Sequence, residues 1–348
     1  MKENQKKTLK ITGFILIGLI LFWLVYHKQD FKSIKEALKK ANYWWLLFSM
    51  FLGLLSHISR SLRWRLLIEP LGYKPRNKTL FLSVMIMYLT NMAIPRSGEI
   101  LRCTITSRYE KIPFTSLLGT VVTERIIDMI ILLILTIVVA ISQFSVVLDF
   151  LTTNESAQKT IQNITQSAGI LIAIFVIGIF SLILLFVFRK KIAKTKIYLK
   201  FQKFIEDFVA GIKSVIALKN KWIFIAHSLF IWTMYFVMIY VAFWAFDFTS
   251  HYGVMVGLTA FVMASYGMVF PSPGGIGSWH FMVIETLFIY GLSRENGHIF
   301  AFGAHESQMI MLIIAGFIAF YATSLLKSVD SKINKNIETE NIIEKTND

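Results

Sequence analysis

Cysteine is nearly absent from the chain. The 348 residues include one, Cys103, which excludes an internal disulfide and a cysteine-based metal site. Charge is scarce too: 16% of residues are charged and 55% hydrophobic, with a mean hydropathy of +0.60. Soluble globular domains carry about 25% charged residues, so a soluble globular fold is excluded. The nucleotide-binding pattern GxxxxGK[ST] does not occur, so ATP hydrolysis by this chain is not expected.

Long apolar runs fill the sequence instead. They are Ile11–Tyr26, Tyr43–Ile58, Thr79–Ile94, Phe114–Ile141, Ala168–Phe188, Trp222–Phe246, Gly253–Phe270, Ile276–Gly291 and Ala301–Leu326. Several approach or exceed the ~18 apolar residues that mark a membrane span. A β-barrel would show short alternating segments. The expected fold class is therefore all-α, a polytopic membrane bundle. The first run follows a basic segment, "KENQKKTLK", but ends in "WLVYHKQD" with no small-residue cleavage site, so a retained signal anchor is expected.

The formal charge of +15 comes from 36 basic against 21 acidic residues. Its distribution argues for topology rather than nucleic-acid binding. With the N-terminus inside, 24 basic residues fall on the cytoplasmic side and seven on the other, the asymmetry of the positive-inside rule. Both termini are expected in the cytoplasm, in the cell membrane. Basic residues at that level also attract anionic lipid headgroups.

Two segments have helical amphipathicity suited to the membrane surface: "DFKSIKEALKKAN", with Phe31, Ile34, Ala37 and Leu38 on one face, and the basic stretch 189–221. The polar tail 327–348 reads as disordered. The membrane domain is expected over 1–326.

Two runs are broken. "YLTNMAIPRSGEILR" and "FPSPGGIGSWH" place Pro and Gly, which cost about 3 and 1 kcal/mol in a helix interior, inside apolar surroundings. Each break precedes a long apolar run with ionisable residues, "TVVTERIIDMIILLIL" or "FGAHESQMIMLIIAGF". Pro95 to Glu124 is 29 positions and Pro273 to Glu306 is 33. The recurrence points to an internal repeat, with halves at about 43–188 and 222–326 and a possible inversion between them. Each break is either an extramembrane turn or a re-entrant element lining a polar site.

The charges favour a site. Glu124, Arg125 and Asp128 lie about 15 Å into their run at 1.5 Å per residue, and a charge at mid-bilayer costs about 2.5–3.5 kcal/mol. Arg125 and Asp128 can pair on one helix face, while Glu124 needs a further cation, which Arg96 or Arg102 can supply. Arg96, Glu99, Arg102, Glu124, Arg125 and Asp128 together sum to zero, as a buried network requires; such a network is either functional or purely structural. Arg60, Arg63 and Trp64 in "SHISRSLRWRLL" read as interfacial anchors or as a grip on lipid phosphate, the first being the simpler account. In the second half the candidates are Pro273, Gly274, Gly275, Gly277, His280, His305 and Glu306. The histidines are either packing residues or proton-sensitive groups; their spacing fits no standard zinc motif, and no metal or cofactor is expected.

The stretches "SRSLRWRLLIEPLG", "NMAIPRSGEILR", "TVVTERIIDM" and "PSPGGIG" resemble the flippase-like membrane region of lysylphosphatidylglycerol synthases, from about Asn42 to Leu326. The resemblance implies a polytopic module that moves phospholipids or polyprenyl-linked lipids between leaflets. No aminoacyl-transferase domain follows in this sequence, so lipid aminoacylation is not expected. The family usually has a glutamate where this chain has His280, and an arginine where it has His305. Two other classes remain open: a small-solute or ion transporter, and a membrane-embedded lipid-modifying enzyme using Glu99 and Glu124. On the lipid reading, Arg96 and Arg102 receive a phosphate and the two breaks meet.

Overall fold

The computed structural model describes residues 31–154 and 215–326, together with Trp23, Gln158 and Lys159. Apart from Trp23, the run at 11–26 lies outside the described residues, as do the run at 168–188, most of the basic stretch 189–221 and the tail 327–348.

Among the described residues the chain forms ten α-helices and no strand. They are α1 (Phe31–Lys40), α2 (Tyr43–Ile68), α3 (Asn77–Ala93), α4 (Gly98–Glu110), α5 (Phe114–Ser142), α6 (Phe144–Thr153), α7 (Lys221–Ala242), α8 (Val254–Val269), α9 (Ser278–Ile289) and α10 (Arg294–Ser324). Four segments are long and apolar enough to cross a membrane: Tyr43–Leu71, Phe114–Ser142, Lys221–Ala245 and Arg294–Ser324. Two of their starts are set by ordinary capping chemistry. Asn42 Oδ1 accepts from the Trp44 amide at the start of α2, and Ser293 Oγ accepts from the Asn296 amide at the start of α10. The outward faces of α5 and α10 expose Leu133, Ile134, Ile137, Ile314, Phe317 and Ile318, the surface that hydrocarbon solvates at no cost.

One order of elements occurs twice. A long helix ends in a single 3₁₀ turn, two short helices flank a break, and a second long helix follows: α2–α3–α4–α5, then α7–α8–α9–α10. The first long helices of the two sets, α2 and α7, run antiparallel. Asn42 N bonds Ala245 O, Ser49 Oγ bonds Met238 O, and Ser59 Oγ bonds His227 Nδ1. Their contacts fix two ends of the bundle.

The runs Thr79–Ile94, Gly253–Phe270 and Ile276–Gly291 belong to two helical hairpins. In the first, Arg76 at the start of α3 donates to Glu110 at the end of α4, at 2.8 Å. In the second, Tyr252 at the start of α8 donates to the Tyr290 carbonyl just after α9. Tyr290 also donates to Gln143 at the far end of α5, at 2.8 Å. The first hairpin thus enters from the end where α5 starts, and the second from the end where α5 finishes. Each closes on a glycine. A Cβ on Gly98 would stand 2.1 Å from the Met87 carbonyl oxygen, and one on Gly267 would stand 2.7 Å from Trp279 Cα.

The breaks are local necessities of sequence. In the second, Gly274, Gly275 and Gly277 take φ of 58°, 81° and 82°, the left-handed region that glycine alone enters without strain. In the first, Arg96 itself sits at φ 64°. The two breaks touch: Arg96 Nη2 donates to the Val269 carbonyl at 2.7 Å. The amphipathic segment at 31–40 is a helix, with Ala37 and Leu38 packed against the core beside Gly303.

Candidate functional site

Helix α2 carries three basic residues in its last third, and two of them point inward. Arg60 is eight residues from the end of α2 and Glu124 ten from the start of α5. At 1.5 Å per residue that is about 12 and 15 Å from the same end of the bundle. The side chains therefore meet at one depth, inside the protein.

Arg63, fully buried, bridges the two carboxylates: Nη2 to Glu124 Oε1 at 2.7 Å and Nη1 to Asp128 Oδ1 at 2.7 Å. Arg102, from the helix after the first break, holds the other oxygen of Glu124 at 2.6 Å. Arg60 stands 3.4 Å from Glu124 and 3.7 Å from Asp128, with its guanidinium 5.9 Å from the ring of Tyr88 and 6.0 Å from that of Tyr235. Those tyrosines share a 2.9 Å hydrogen bond between hydroxyls. Ser228 accepts from Arg63, and Trp232 donates to Asp128, both from α7. Arg102 stacks over Trp64 at 4.5 Å, and Trp64 donates to Thr120. Three membrane-length helices, α2, α5 and α7, and both arms of the first hairpin thus converge on five charges.

Three guanidiniums face two carboxylates, so the buried cluster carries a net charge of +1. Flanking it, Arg125 pairs with Glu99 at 2.9 Å and approaches Asp128 at 3.6 Å, which leaves the balance unchanged. Arg60 Nε, Arg102 Nε and Arg102 Nη1 are buried with no hydrogen-bond partner. Buried donors without acceptors are rare because each costs roughly 1–3 kcal/mol. Net positive charge with donors to spare is what an anion requires.

Two expectations are corrected. Arg60, Arg63 and Trp64 are not interfacial anchors: they are 5%, 0% and 0% exposed, because α2 continues past its apolar run to Ile68 and turns this face into the bundle. Arg96 does not neutralise Glu124. It is exposed and bound to the second break, since the first break orients it away from α5. The zero-sum set therefore gives way to a cluster centred on Arg63. His57, Tyr88, Thr120, Ser228, Trp232 and Tyr235 also belong to the cluster and were not expected there, since they look like ordinary residues of apolar runs; only the i, i+4 placement of Ser228 and Trp232 marks one face of α7.

A second polar centre lies at the second break. His280 Nε2 is 3.6 Å and His305 Nδ1 3.5 Å from Glu306 Oε1, with the imidazole centroids 4.5 Å apart. His280 Nδ1 accepts from the Gly277 amide, and His305 Nε2 donates to the Gly274 carbonyl. Pro273 and Gly275 are buried behind them. In each set the helix after the break is joined to the following long helix by a base–acid contact, Arg102–Glu124 in one and His280–Glu306 in the other. Glu285 is not part of this centre; it forms a bidentate pair with Arg294 at the protein surface.

The sequence matches the family described as the lysylphosphatidylglycerol synthase TM region over residues 11–316, and the chain belongs to that family. A UPF0104 membrane protein of Methanocaldococcus jannaschii is 30% identical over 142 residues. That match covers 40% of this chain and 41% of the relative, so the chain aligns with about two-fifths of the relative's length. No solved structure matches. The protein is an all-α membrane protein of a family related to lipid handling.

Proposed function

We propose that this protein moves a phosphate-bearing lipid between leaflets, its headgroup passing through the Arg60–Arg63–Arg102 cluster while the acyl chains stay in the bilayer. The observation that supports it is the excess positive charge of that cluster, together with its unsatisfied guanidinium donors at membrane depth. Guanidinium presents permanent charge in a planar fork suited to phosphate. The geometry divides the labour. Arg63 and Arg102 are pinned by short bonds to Glu124 and Asp128. Arg60 holds only longer contacts and lies at the half-buried tyrosine pair, so it is the group able to exchange a carboxylate for a phosphate.

The two breaks supply the passage in this reading, one hairpin entering from each end and the pair meeting at Arg96 and Val269. The recurrence of the element order supports reading the two sets as halves of an inverted repeat, an architecture that serves alternating access in transporters. The end carrying Arg65, Lys74, Arg76, Lys78, Arg108 and Lys111 is the cytoplasmic one by the positive-inside rule. In this account the chain performs no covalent chemistry, and Glu124 and Asp128 serve to hold the guanidiniums.

Lipid analysis of the purified protein tests the proposal. Wild type retains a phospholipid or polyprenyl phosphate through delipidating washes, and Arg60→Gln loses it. Equal retention by both would remove Arg60 from the headgroup path. Uptake of a small solute by proteoliposomes of the purified protein, with no lipid retained, would favour a solute transporter.

A further inference from the structure

The second centre is built from titratable groups, and its hydrogen placement is set by the break. His280 Nδ1 accepts the Gly277 amide hydrogen at 3.2 Å, so a neutral His280 ring carries its hydrogen on Nε2, the atom facing Glu306. His305 Nε2 lies 3.1 Å from the Gly274 carbonyl oxygen, which only accepts. A neutral His305 ring therefore presents a lone pair at Nδ1, and Nδ1 is buried without a hydrogen-bond partner, 3.5 Å from Glu306 Oε1. A lone pair facing a carboxylate repels it. One proton between them turns that contact into a donor–acceptor pair.

Charge balance requires the same proton. Glu124 in the first centre has three guanidiniums within 4 Å, whereas among the described residues the basic groups that close on Glu306 are the two histidines. A carboxylate without a cation at this depth costs about 2.5–3.5 kcal/mol. The other titratable groups around it do not supply the charge. On α10 itself His298 lies two turns earlier, and from α9 the facing group is His280. Helix α1 presents Lys35, Glu36, Lys39 and Lys40 to the exterior. Helices α2 and α3 have His57 and Tyr88 packed on each other beside the first centre. The Glu306 side chain keeps 30% of its surface exposed, whereas that of His280 is fully buried.

The same three residues offer ligand atoms within 4.8 Å of one another, as a metal site would. A metal needs a lone pair from each, and His280 Nε2 holds a hydrogen as long as Nδ1 accepts from Gly277. The geometry fits a proton better than a cation of higher charge.

We infer that His305 and Glu306, oriented by His280 and the Gly274–Gly277 backbone, bind one proton, and that this proton is the ion coupled to the movement of lipid. The coupling rests on the function proposed above; the proton site does not. Protonation makes His305 a cation, which strengthens its bond to the Gly274 carbonyl, as charge-assisted bonds are about twice as strong as neutral ones. The proton thereby fastens the second break to α10, and its departure loosens that contact.

Two measurements test this. Infrared difference spectra of the purified protein between pH about 5 and 8, the range of an ordinary histidine, are expected to contain a carboxylic-acid or imidazolium band that Glu306→Gln removes and His305→Gln shifts. Identical difference spectra in wild type and both variants would overturn the proton site. Having two variants keeps the comparison available should one fail to fold. In proteoliposomes with a trapped pH dye, lipid movement in wild type is expected to respond at least severalfold to an imposed pH gradient and to carry protons, and Glu306→Gln to lose both responses. Lipid movement indifferent to the gradient in wild type would overturn the coupling. Titration of Glu306 with no lipid movement under any condition would instead overturn the transport function and leave the proton site standing.

Discussion

Arg102 and Glu124 lie 2.6 Å apart, both fully buried. The first belongs to the helix that follows a break and the second to the membrane helix after it. This bond ties the first hairpin to α5, so that the position of the break and the charge of the site are set together.

Removal of Arg63 or Arg102 leaves a buried carboxylate without its nearest cation, and loss of one partner of such a pair costs about 3–5 kcal/mol. Arg63→Ala and Arg102→Ala are expected to lower the thermal unfolding midpoint in detergent by many degrees. Arg60→Ala, with contacts of 3.4 and 3.7 Å, is expected to lower it much less. Arg294→Ala breaks a half-exposed pair with Glu285 and should cost no more than ~1 kcal/mol. Equal losses for all four would show that the cluster does not distribute its load as described.

The hairpins make a topological prediction. In a Cys103→Ala background, Lys78→Cys and Lys111→Cys should be labelled by a membrane-impermeant thiol reagent from one side, and His251→Cys and Glu295→Cys from the other. Labelling of Lys78→Cys and Lys111→Cys from opposite sides would make α3 and α4 a full crossing. Finding the Lys78 side in the cytoplasm would also support the proposed orientation.

Much of this arrangement was legible in the sequence. Composition specified an all-α membrane protein, and Pro and Gly inside apolar runs marked both breaks, because these residues have no neutral role in a helix interior. Glu124 and Asp128 stood out since charge is expensive at that depth. Arg60 and Arg63 were harder to place. An arginine near a helix end looks the same whether it reaches headgroups or turns inward, and only the packing of α2 on α5 and α7 decides. The contribution of α7 was invisible for a related reason: Ser228, Trp232 and Tyr235 are polar only at their tips, and a one-dimensional hydropathy pattern does not record where a tip points.

Close packing within the hairpins can be tested by adding one methyl group. Gly98→Ala would press a Cβ against the Met87 carbonyl at 2.1 Å, and backbone cannot yield as a flexible side chain does. The expected result is a loss of at least ~1–3 kcal/mol, the usual cost of overpacking, seen as poor yield and a lowered unfolding midpoint. Gly119→Ala in α5 meets nothing within 4 Å and should stabilise by up to about 1 kcal/mol, the helix-propensity difference. If Gly98→Ala is as stable as wild type, the two arms of the first hairpin are not in contact there.

The most direct measurement is the transbilayer movement of a fluorescent phospholipid in proteoliposomes, expressed per folded molecule, for wild type and Arg60→Gln. The account predicts rapid movement in wild type and at least a tenfold loss in Arg60→Gln, with the two proteins unfolding within a few degrees of each other. Wild-type movement no faster than in protein-free liposomes, or an Arg60→Gln rate equal to wild type, would contradict it.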